Sequence, residues 1–194
     1  MNIQKGKLFI ISAPSGAGKT TLVNAVMAEK GQSDKIERII TYATKQPRKG
    51  EVDGKSYHFL TKDEFEAKIT QNYFLEYSGT YGNYYGSPRY TLDRLNEGIS
   101  QIAILDRAGA KAVKQEYPPS VLIWIEVPSV EELEKRLAGR ASDSPESIKR
   151  RLALAIEEIE AEKIEQFYDY SIVNDDFEEA KKALKAIFNF ANVR

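Results

Sequence analysis

The chain has 194 residues, of which 42% are hydrophobic, and this size and balance predict one soluble globular domain with its own core. Lys and Arg number 28 against 29 Asp and Glu, a net charge of -1 that excludes a general attraction to nucleic acid or anionic membrane. The absence of cysteine and the single histidine, His58, exclude disulfides, thiolate chemistry and multi-histidine metal sites, so any divalent metal is expected to be oxygen-ligated, as Mg²⁺ is.

The N-terminal segment predicts a strand, a glycine-containing loop and a helix. Residues 8–11 form a short apolar run, and apolar side chains recur at helical spacing over 19–30. The apolar run is too short for a signal peptide or a membrane span. A cytoplasmic location is therefore expected.

The middle of the chain predicts short elements separated by polar turns. The predicted strands, loops and turns are a β-rich run at 36–43, a polar loop at 45–55, a strand at 57–60 and a Tyr- and Gly-rich block at 74–85. Thr61 and Glu64 have the spacing of a capping box, which opens a helix through residue 69. A further helix is predicted at 91–96, before Gly98.

The C-terminal half alternates apolar strands with amphipathic helices. The predicted elements are strands at 102–106, 121–127 and 170–173 and helices at 129–137, 145–164 and 176–190. This alternation implies an α/β fold with a parallel sheet covered by helices on both faces. The polar block 41–87 breaks the alternation, so we interpret it as a small inserted substrate domain.

Residues 13–20 match a phosphate-loop pattern, with Ala13 in place of the first glycine. Small residues are needed because successive backbone N–H groups turn inward around the β-phosphate, and the helix that follows favours anions at its N-terminus. We expect Lys19 to neutralise the β- and γ-phosphate oxygens of ATP and the Thr20 hydroxyl to ligate Mg²⁺. The predicted ATP-binding residues of this segment are Ser15, Gly16, Ala17, Gly18, Lys19, Thr20 and Thr21.

Five further motifs follow along the chain: Pro-Arg-Lys-Gly-Glu-Val-Asp-Gly-Lys at 47–55, Phe-Leu-Glu at 74–76, Gly-Asn-Tyr-Tyr-Gly at 82–86, Arg-Leu-Ala-Gly-Arg at 136–140 and Ile-Val-Asn-Asp-Asp at 172–176. In this order they resemble the motifs of guanylate kinases. The resemblance implies ATP-dependent phosphorylation of GMP, and also of dGMP, in purine nucleotide metabolism. It further implies three parts: a P-loop core at about 1–40, 91–136 and 165–194, a mixed α/β GMP-binding insertion at about 41–90, and a helical lid at about 137–164.

The resemblance also assigns the GMP-binding residues. It places Lys45, Arg48, Tyr57 and Tyr85 on the GMP phosphate, and Thr41, Glu76, Ser87 and Asp106 near guanine. Lys45 stands where the family has arginine, which keeps the charge but loses the planar fork that holds phosphate bidentately. Asp106 is the single acid where the family has two, so its role stays open between a contact to the base and an indirect contact to Mg²⁺.

The chemistry of guanine supports the assignment of Glu76 independently, because guanine offers two adjacent N–H donors that one carboxylate can accept together and adenine does not. A buried carboxylate left unpaired by the wrong base is costly. Glu76 is therefore the predicted specificity residue.

The resemblance makes Arg140 and Arg151 the lid arginines that close over the transferring phosphoryl group, so the predicted catalytic residues are Lys19, Arg48, Arg140 and Arg151. Arg136 and Arg150 are interpreted instead as partners of nearby glutamates. Asn174 is a candidate contact to the ATP base. Two alternatives remain: a non-catalytic interaction module of the same fold, and a P-loop kinase for another small phosphorylated acceptor.

Overall fold

The computed structural model describes residues 4–31, 34–80, 82–139 and 145–192, and within them the chain forms nine strands and seven helices. The strands are β1 (Leu8–Ser12), β2 (Ile36–Arg38), β3 (Tyr42–Ala43), β4 (His58–Phe59), β5 (Phe74–Thr80), β6 (Asn83–Pro88), β7 (Ser100–Ile104), β8 (Val121–Glu126) and β9 (Tyr170–Val173). The helices are α1 (Lys19–Ala28), α2 (Lys62–Thr70), α3 (Thr91–Asn96), α4 (Arg107–Glu116), α5 (Val130–Ala138), α6 (Pro145–Glu165) and α7 (Phe177–Asn192). Within these ranges, no helix combines the length and the apolar character that a membrane crossing requires.

The strands form two sheets, a five-stranded one of order β2-β7-β1-β8-β9 and a four-stranded one of order β4-β3-β6-β5. The strand pairs β2–β7 and β8–β9 are parallel, and β1 is buried at all five positions, as expected for a strand covered on both faces. The predicted α/β class with a parallel sheet is confirmed. The chain divides into two compact units, which we call unit 1 (residues 1–10 and 33–120) and unit 2 (11–32 and 121–194).

In unit 2, α5 and α6 pack together through apolar side chains at helical spacing. The Ser129 side chain caps α5 by accepting a hydrogen bond from the Glu132 N–H at 3.2 Å, which ends the preceding loop and starts the helix. Leu133 and Leu137 are fully buried one turn apart and cluster with Ala155 of α6. Partly buried apolar residues that pack on this cluster are Val127, Ile148, Leu152 and Ile159.

In unit 1, α2 packs on the four-stranded sheet through an aromatic cluster. The capping box of Thr61 and Glu64 is present in full, as predicted, and it fixes the start of α2. Phe65 of α2 is fully buried and stacks on Phe74 with ring centroids 4.4 Å apart. Gly86 of β6 lies under both rings, since a Cβ there would be 2.9 Å from Phe74 and 3.0 Å from Phe65. The cluster therefore holds β5 and β6, which carry candidate site residues.

The structure adds two features to the predictions for unit 1. The β-rich run 36–43 holds two strands of different sheets, because β2 pairs with β7 whereas β3 pairs with β4 and β6. Helix α4 was not predicted, because Asp106 was interpreted as the last residue of a strand. Its side chain instead accepts a hydrogen bond from the Gly109 N–H at 2.7 Å, which makes it the N-cap of α4.

Candidate functional site

The predicted phosphate loop lies in unit 2 and turns on two glycines in the left-handed region. Gly16 has φ 100° and Gly18 has φ 86°, conformations that other residues adopt at a cost. Neighbouring side chains also exclude larger residues, because a Cβ at Gly16 would lie 2.9 Å from Leu133 Cδ1 and one at Gly18 would lie 2.9 Å from Asn174 Nδ2. The structure thus requires glycine at both positions, and the contact of this loop with a phosphate stays a prediction.

Helix α1 starts directly after the loop at Lys19, and Gly18 at its N-cap provides no side-chain cap. A helix N-terminus of this kind favours an anionic ligand on its first N–H groups. The Lys19 ammonium lies 3.5 Å from the carbonyl oxygen of Ala13 and is thus held against the loop. Thr20 and Thr21, the next two residues of α1, are exposed, so their hydroxyls are accessible to a ligand.

Asn174 supports the phosphate loop from the end of β9. It is 5% exposed, its side-chain Nδ2 donates to the Ala17 carbonyl at 2.8 Å, and its backbone N–H donates to the Glu126 carbonyl at 2.9 Å. Arg136 donates to the Asn174 carbonyl at 3.1 Å and pairs with Glu132 at 2.9 Å, the glutamate partnership predicted for it. The structure thus shows Asn174 bracing the loop, and its contact to the ATP base stays a prediction.

The two predicted lid arginines differ in what the structure describes. Arg151 lies in the second turn of α6 and is half-buried. Arg140 lies outside the described residues. Their proposed contacts with a phosphoryl group stay predictions.

Unit 1 holds a buried carboxylate at Glu76, which is 4% exposed. Its partner across the β5–β6 ladder is Ser87, 1% exposed, whose hydroxyl donates to Glu76 Oε1 at 2.7 Å. Burial raises the pKa of Glu76 to about 7, and the Asp106 carboxylate adds to this rise while the Ser87 hydroxyl opposes it. Thr41 is also buried, so three polar side chains predicted to face guanine lie inside unit 1.

Asp106 is engaged on both carboxylate oxygens. Oδ1 accepts the Gly109 N–H that caps α4, and Oδ2 accepts the Ser78 hydroxyl at 2.8 Å. Gly109 in turn lets α4 approach the buried acid, because a Cβ at this position would lie 3.0 Å from Glu76 Oε2. Asp106 therefore joins α4 to the strand that carries Glu76, a role that the sequence did not predict.

The cationic part of unit 1 is built on the turn after β3. Lys45 forms an ion pair with Glu51 and lies over the ring of Tyr57, with Nζ 4.9 Å from the ring centroid. Tyr57 also meets Tyr85 edge to face, with centroids 6.1 Å apart. Three of the four residues predicted to hold the GMP phosphate are thus brought together.

The fourth, Arg48, is exposed, and its backbone N–H donates to Glu51 Oε2 at 2.7 Å. Glu51, Ser78 and Gly109 were not among the predicted site residues. A signal for Glu51 existed in its place within the motif at 47–55, but its contacts with Lys45 and Arg48 depend on how the turn folds.

A family model described as guanylate kinase matches residues 5–191 of the chain. A guanylate kinase from Shewanella violacea is 45% identical over 184 residues, a match that covers 94% of this chain and 86% of that relative. A guanylate kinase from Clostridium acetobutylicum is 42% identical over 185 residues, covering 95% of this chain and 85% of the relative.

Two solved structures are similar to the fold. The crystal structure of a guanylate kinase from Anaplasma phagocytophilum has a TM-score of 0.80 and 28% identity, covering 98% of this chain and 88% of that chain. A shikimate kinase from Bacteroides thetaiotaomicron has a TM-score of 0.51 and 12% identity, covering 94% of this chain and 98% of that chain. The second likeness shows the fold alone.

Proposed function

The chain belongs to the guanylate kinase family, and on that premise we propose that unit 2 binds ATP, that unit 1 binds GMP, and that the γ-phosphate of ATP is transferred to GMP. The observation that carries the choice of acceptor is the carboxylate of Glu76, buried and hydrogen-bonded to Ser87. A carboxylate in this position accepts the N1–H and the 2-amino group of guanine together. Adenine would leave it unpaired, which is costly for a buried group.

On the donor side, we assign the phosphates of ATP to the backbone of residues 15–18 and to the first turn of α1. The loop consists of small residues, two of them with positive φ, so its own side chains are short where its backbone would receive the phosphates. The Lys19 ammonium neutralises charge on the β- and γ-phosphates, where it increases as the transition state forms. Asn174 keeps the loop in shape through its bond to the Ala17 carbonyl.

The residues present fit Mg²⁺ as the metal that accompanies ATP. Among the described residues no three His, Cys, Asp or Glu side chains come together as a metal site, while Thr20 presents an exposed hydroxyl beside Lys19. Mg²⁺ commonly keeps several waters and binds through substrate phosphates with few protein ligands, which suits this arrangement. Thr20 would hold the ion, whose charge offsets that of the β- and γ-phosphates.

On the acceptor side, Lys45, Arg48, Tyr57 and Tyr85 are assigned to the phosphate of GMP. The Lys45 ammonium and the rings of Tyr57 and Tyr85 meet in unit 1, and the exposed Arg48 side chain supplies a planar donor fork. Thr41 and Ser87 are assigned to the neighbourhood of guanine O6. Asp106 is assigned to holding α4 against β5, since both its oxygens have partners there.

The transfer forms a bond between an oxygen of the GMP phosphate and the γ-phosphorus of ATP. It breaks the bond from that phosphorus to the β–γ bridging oxygen, which leaves ADP and GDP. The attacking phosphate oxygen is already nucleophilic, so no side chain has to remove a proton, and catalysis consists mainly of alignment and charge neutralisation. We assign the neutralisation of the moving group to Lys19, Arg48, Arg140 and Arg151.

We propose that dGMP is also an acceptor, that the reaction belongs to purine nucleotide metabolism, and that the protein acts in the cytoplasm. We keep as proposals the insertion at about 41–90 and the lid at about 137–164. Neither the non-catalytic module nor a kinase for another acceptor gains support, because the shikimate kinase likeness concerns the fold alone.

A coupled assay of ADP release tests the proposal across GMP, AMP, CMP and UMP with Mg²⁺ and ATP. We expect rapid turnover with GMP and, for the other three, rates lower by about a hundredfold or more, as for a site whose buried polar group rejects the wrong partner. Comparable rates with AMP and GMP would refute the assignment of the acceptor.

A further inference from the structure

We propose that Glu51 is a positioning residue for the GMP phosphate: its carboxylate holds the Lys45 ammonium and the Arg48 backbone in place for that phosphate. The inference rests on the proposed function.

Glu51 closes the turn that carries Arg48. The Glu51 N–H donates to the Arg48 carbonyl at 3.0 Å, and the Arg48 N–H donates back to Glu51 Oε2 at 2.7 Å. Gly50, third in this four-residue turn, has φ 86°, as a type II turn requires. The side chain and the backbone of Glu51 thus fix the backbone of Arg48, the residue whose guanidinium is assigned to the GMP phosphate.

Glu51 Oε2, the same carboxylate oxygen, also accepts a hydrogen bond from the Lys45 ammonium. Two aromatic rings also lie beside that ammonium, with Nζ 4.9 Å from the Tyr57 centroid and 5.2 Å from the Phe59 centroid. The Lys45 side chain is 11% exposed and that of Glu51 is 21% exposed. The ammonium is therefore confined to one place, although a lysine side chain is flexible by itself.

Confinement matters because lysine lacks the planar fork of arginine and loses more side-chain freedom when it binds a phosphate. A site that holds the ammonium before the ligand arrives removes part of that entropic cost. An ammonium has three N–H donors, so the bond to Glu51 leaves donors for a phosphate. Burial would raise the pKa of Glu51, but the Arg48 N–H and the Lys45 ammonium outweigh it and lower the pKa, which keeps the carboxylate charged.

A positioning role and a purely electrostatic role of Glu51 predict opposite changes in GMP affinity when its carboxylate is neutralised. If Glu51 were only an anion near the GMP phosphate, its neutralisation would relieve repulsion and tighten GMP binding. If it positions the cations, neutralisation weakens GMP binding. Glu51→Gln separates the two because it removes the charge, keeps the size and retains an oxygen for the Arg48 N–H.

The experiment measures the dissociation constants of GMP, guanosine and ATP by calorimetry on the full chain. We expect Glu51→Gln to raise the GMP constant about five- to tenfold, as for loss of one charge-assisted bond, with guanosine and ATP unchanged. In a Lys45→Ala background, the same substitution should change the GMP dissociation constant less than twofold, because the ammonium that Glu51 positions is absent. Lys49→Gln, which removes an exposed charge from the same turn, is the control and should leave all three constants as in the wild type.

Unchanged or tighter GMP binding in Glu51→Gln would overturn the inference. It would also be overturned if Glu51→Gln weakened GMP binding by the same factor in the Lys45→Ala background as in the wild type. If Glu51→Gln does not fold, Glu51→Asp serves, because it keeps the charge and shortens the reach. Positioning predicts weaker GMP binding there as well, and wild-type binding would refute it. A wild-type chain that neither binds nor phosphorylates GMP would overturn the proposed function and this inference together, whereas failure of the variants alone overturns only the inference.

Discussion

The substitution Glu76→Gln tests how the protein recognises the acceptor base. The Ser87 hydroxyl donates to Glu76 Oε1, and a glutamine can keep this bond through its own carbonyl oxygen. Its amide NH₂ then takes the place of Oε2, the oxygen on the side of Gly109. A donor would stand where guanine also presents a donor, while size and shape stay the same.

The expected cost follows from the burial of this group, which is 4% exposed. One buried hydrogen bond lost or opposed costs roughly 1–3 kcal/mol, so kcat/KM for GMP should fall about ten- to a hundredfold. The KM for ATP should stay within about twofold, because the donor residues belong to another part of the chain. The preference for GMP over AMP should shrink by a similar factor.

The assay compares kcat/KM for GMP and AMP in the wild type and the variant at pH 8, where the wild-type carboxylate is ionised. Glu66→Gln is a matched control, since it neutralises an exposed carboxylate of α2 in the same unit. An unchanged GMP-to-AMP ratio in a folded Glu76→Gln protein would refute the reasoning and leave Thr41 as the next residue to test.

Four other outcomes are expected. Because burial raises the pKa of Glu76 to about 7 and guanine needs the ionised carboxylate, GMP affinity should level off above about pH 8 and fall up to about tenfold per unit below pH 7. A flat titration from pH 8 to 5.5 would contradict this. Lys19→Ala should lower kcat about a hundredfold or more with the fold intact, measured by steady-state kinetics and circular dichroism. Excess chelator should abolish transfer, and added Mg²⁺ should restore it. Gly86→Ala should cost about 1–3 kcal/mol and lower Tm by several degrees because its Cβ would meet Phe74 at 2.9 Å, whereas Gly79→Ala, with nothing within 4 Å, should melt as the wild type does.

Local patterns in the sequence were sufficient for the phosphate loop and for most elements. Residues 13–20 carry their own signal because loop, glycines and helix start are adjacent in the chain. The capping box of Thr61 and Glu64 works over three residues and is present as predicted. Glu76 needed the family resemblance as well, because its burial arises from pairing with Ser87 and from packing of α4, which lie far along the chain.

The rest depended on contacts between distant residues. The run 36–43 was predicted only as β-rich, because nothing local in it shows that β2 pairs with β7 while β3 pairs with β6 in the other sheet. Asp106 after an apolar run looks like a strand end, and its role as the cap of α4 is visible only once Gly109 and Ser78 are seen beside it. The contact of Glu51 with Lys45 likewise depends on the turn at Gly50.

The most direct test of the account follows the phosphoryl group itself. The full chain is incubated with Mg²⁺, GMP and ATP labelled at the γ-phosphorus, and the nucleotides are separated and counted. If ATP bound at the phosphate loop is the donor and Glu76 recognises the acceptor base, the label appears in GDP in an amount equal to the ADP formed. When AMP replaces GMP, the label does not appear in ADP. Label released as inorganic phosphate, or label in AMP-derived ADP at a comparable rate, would contradict it.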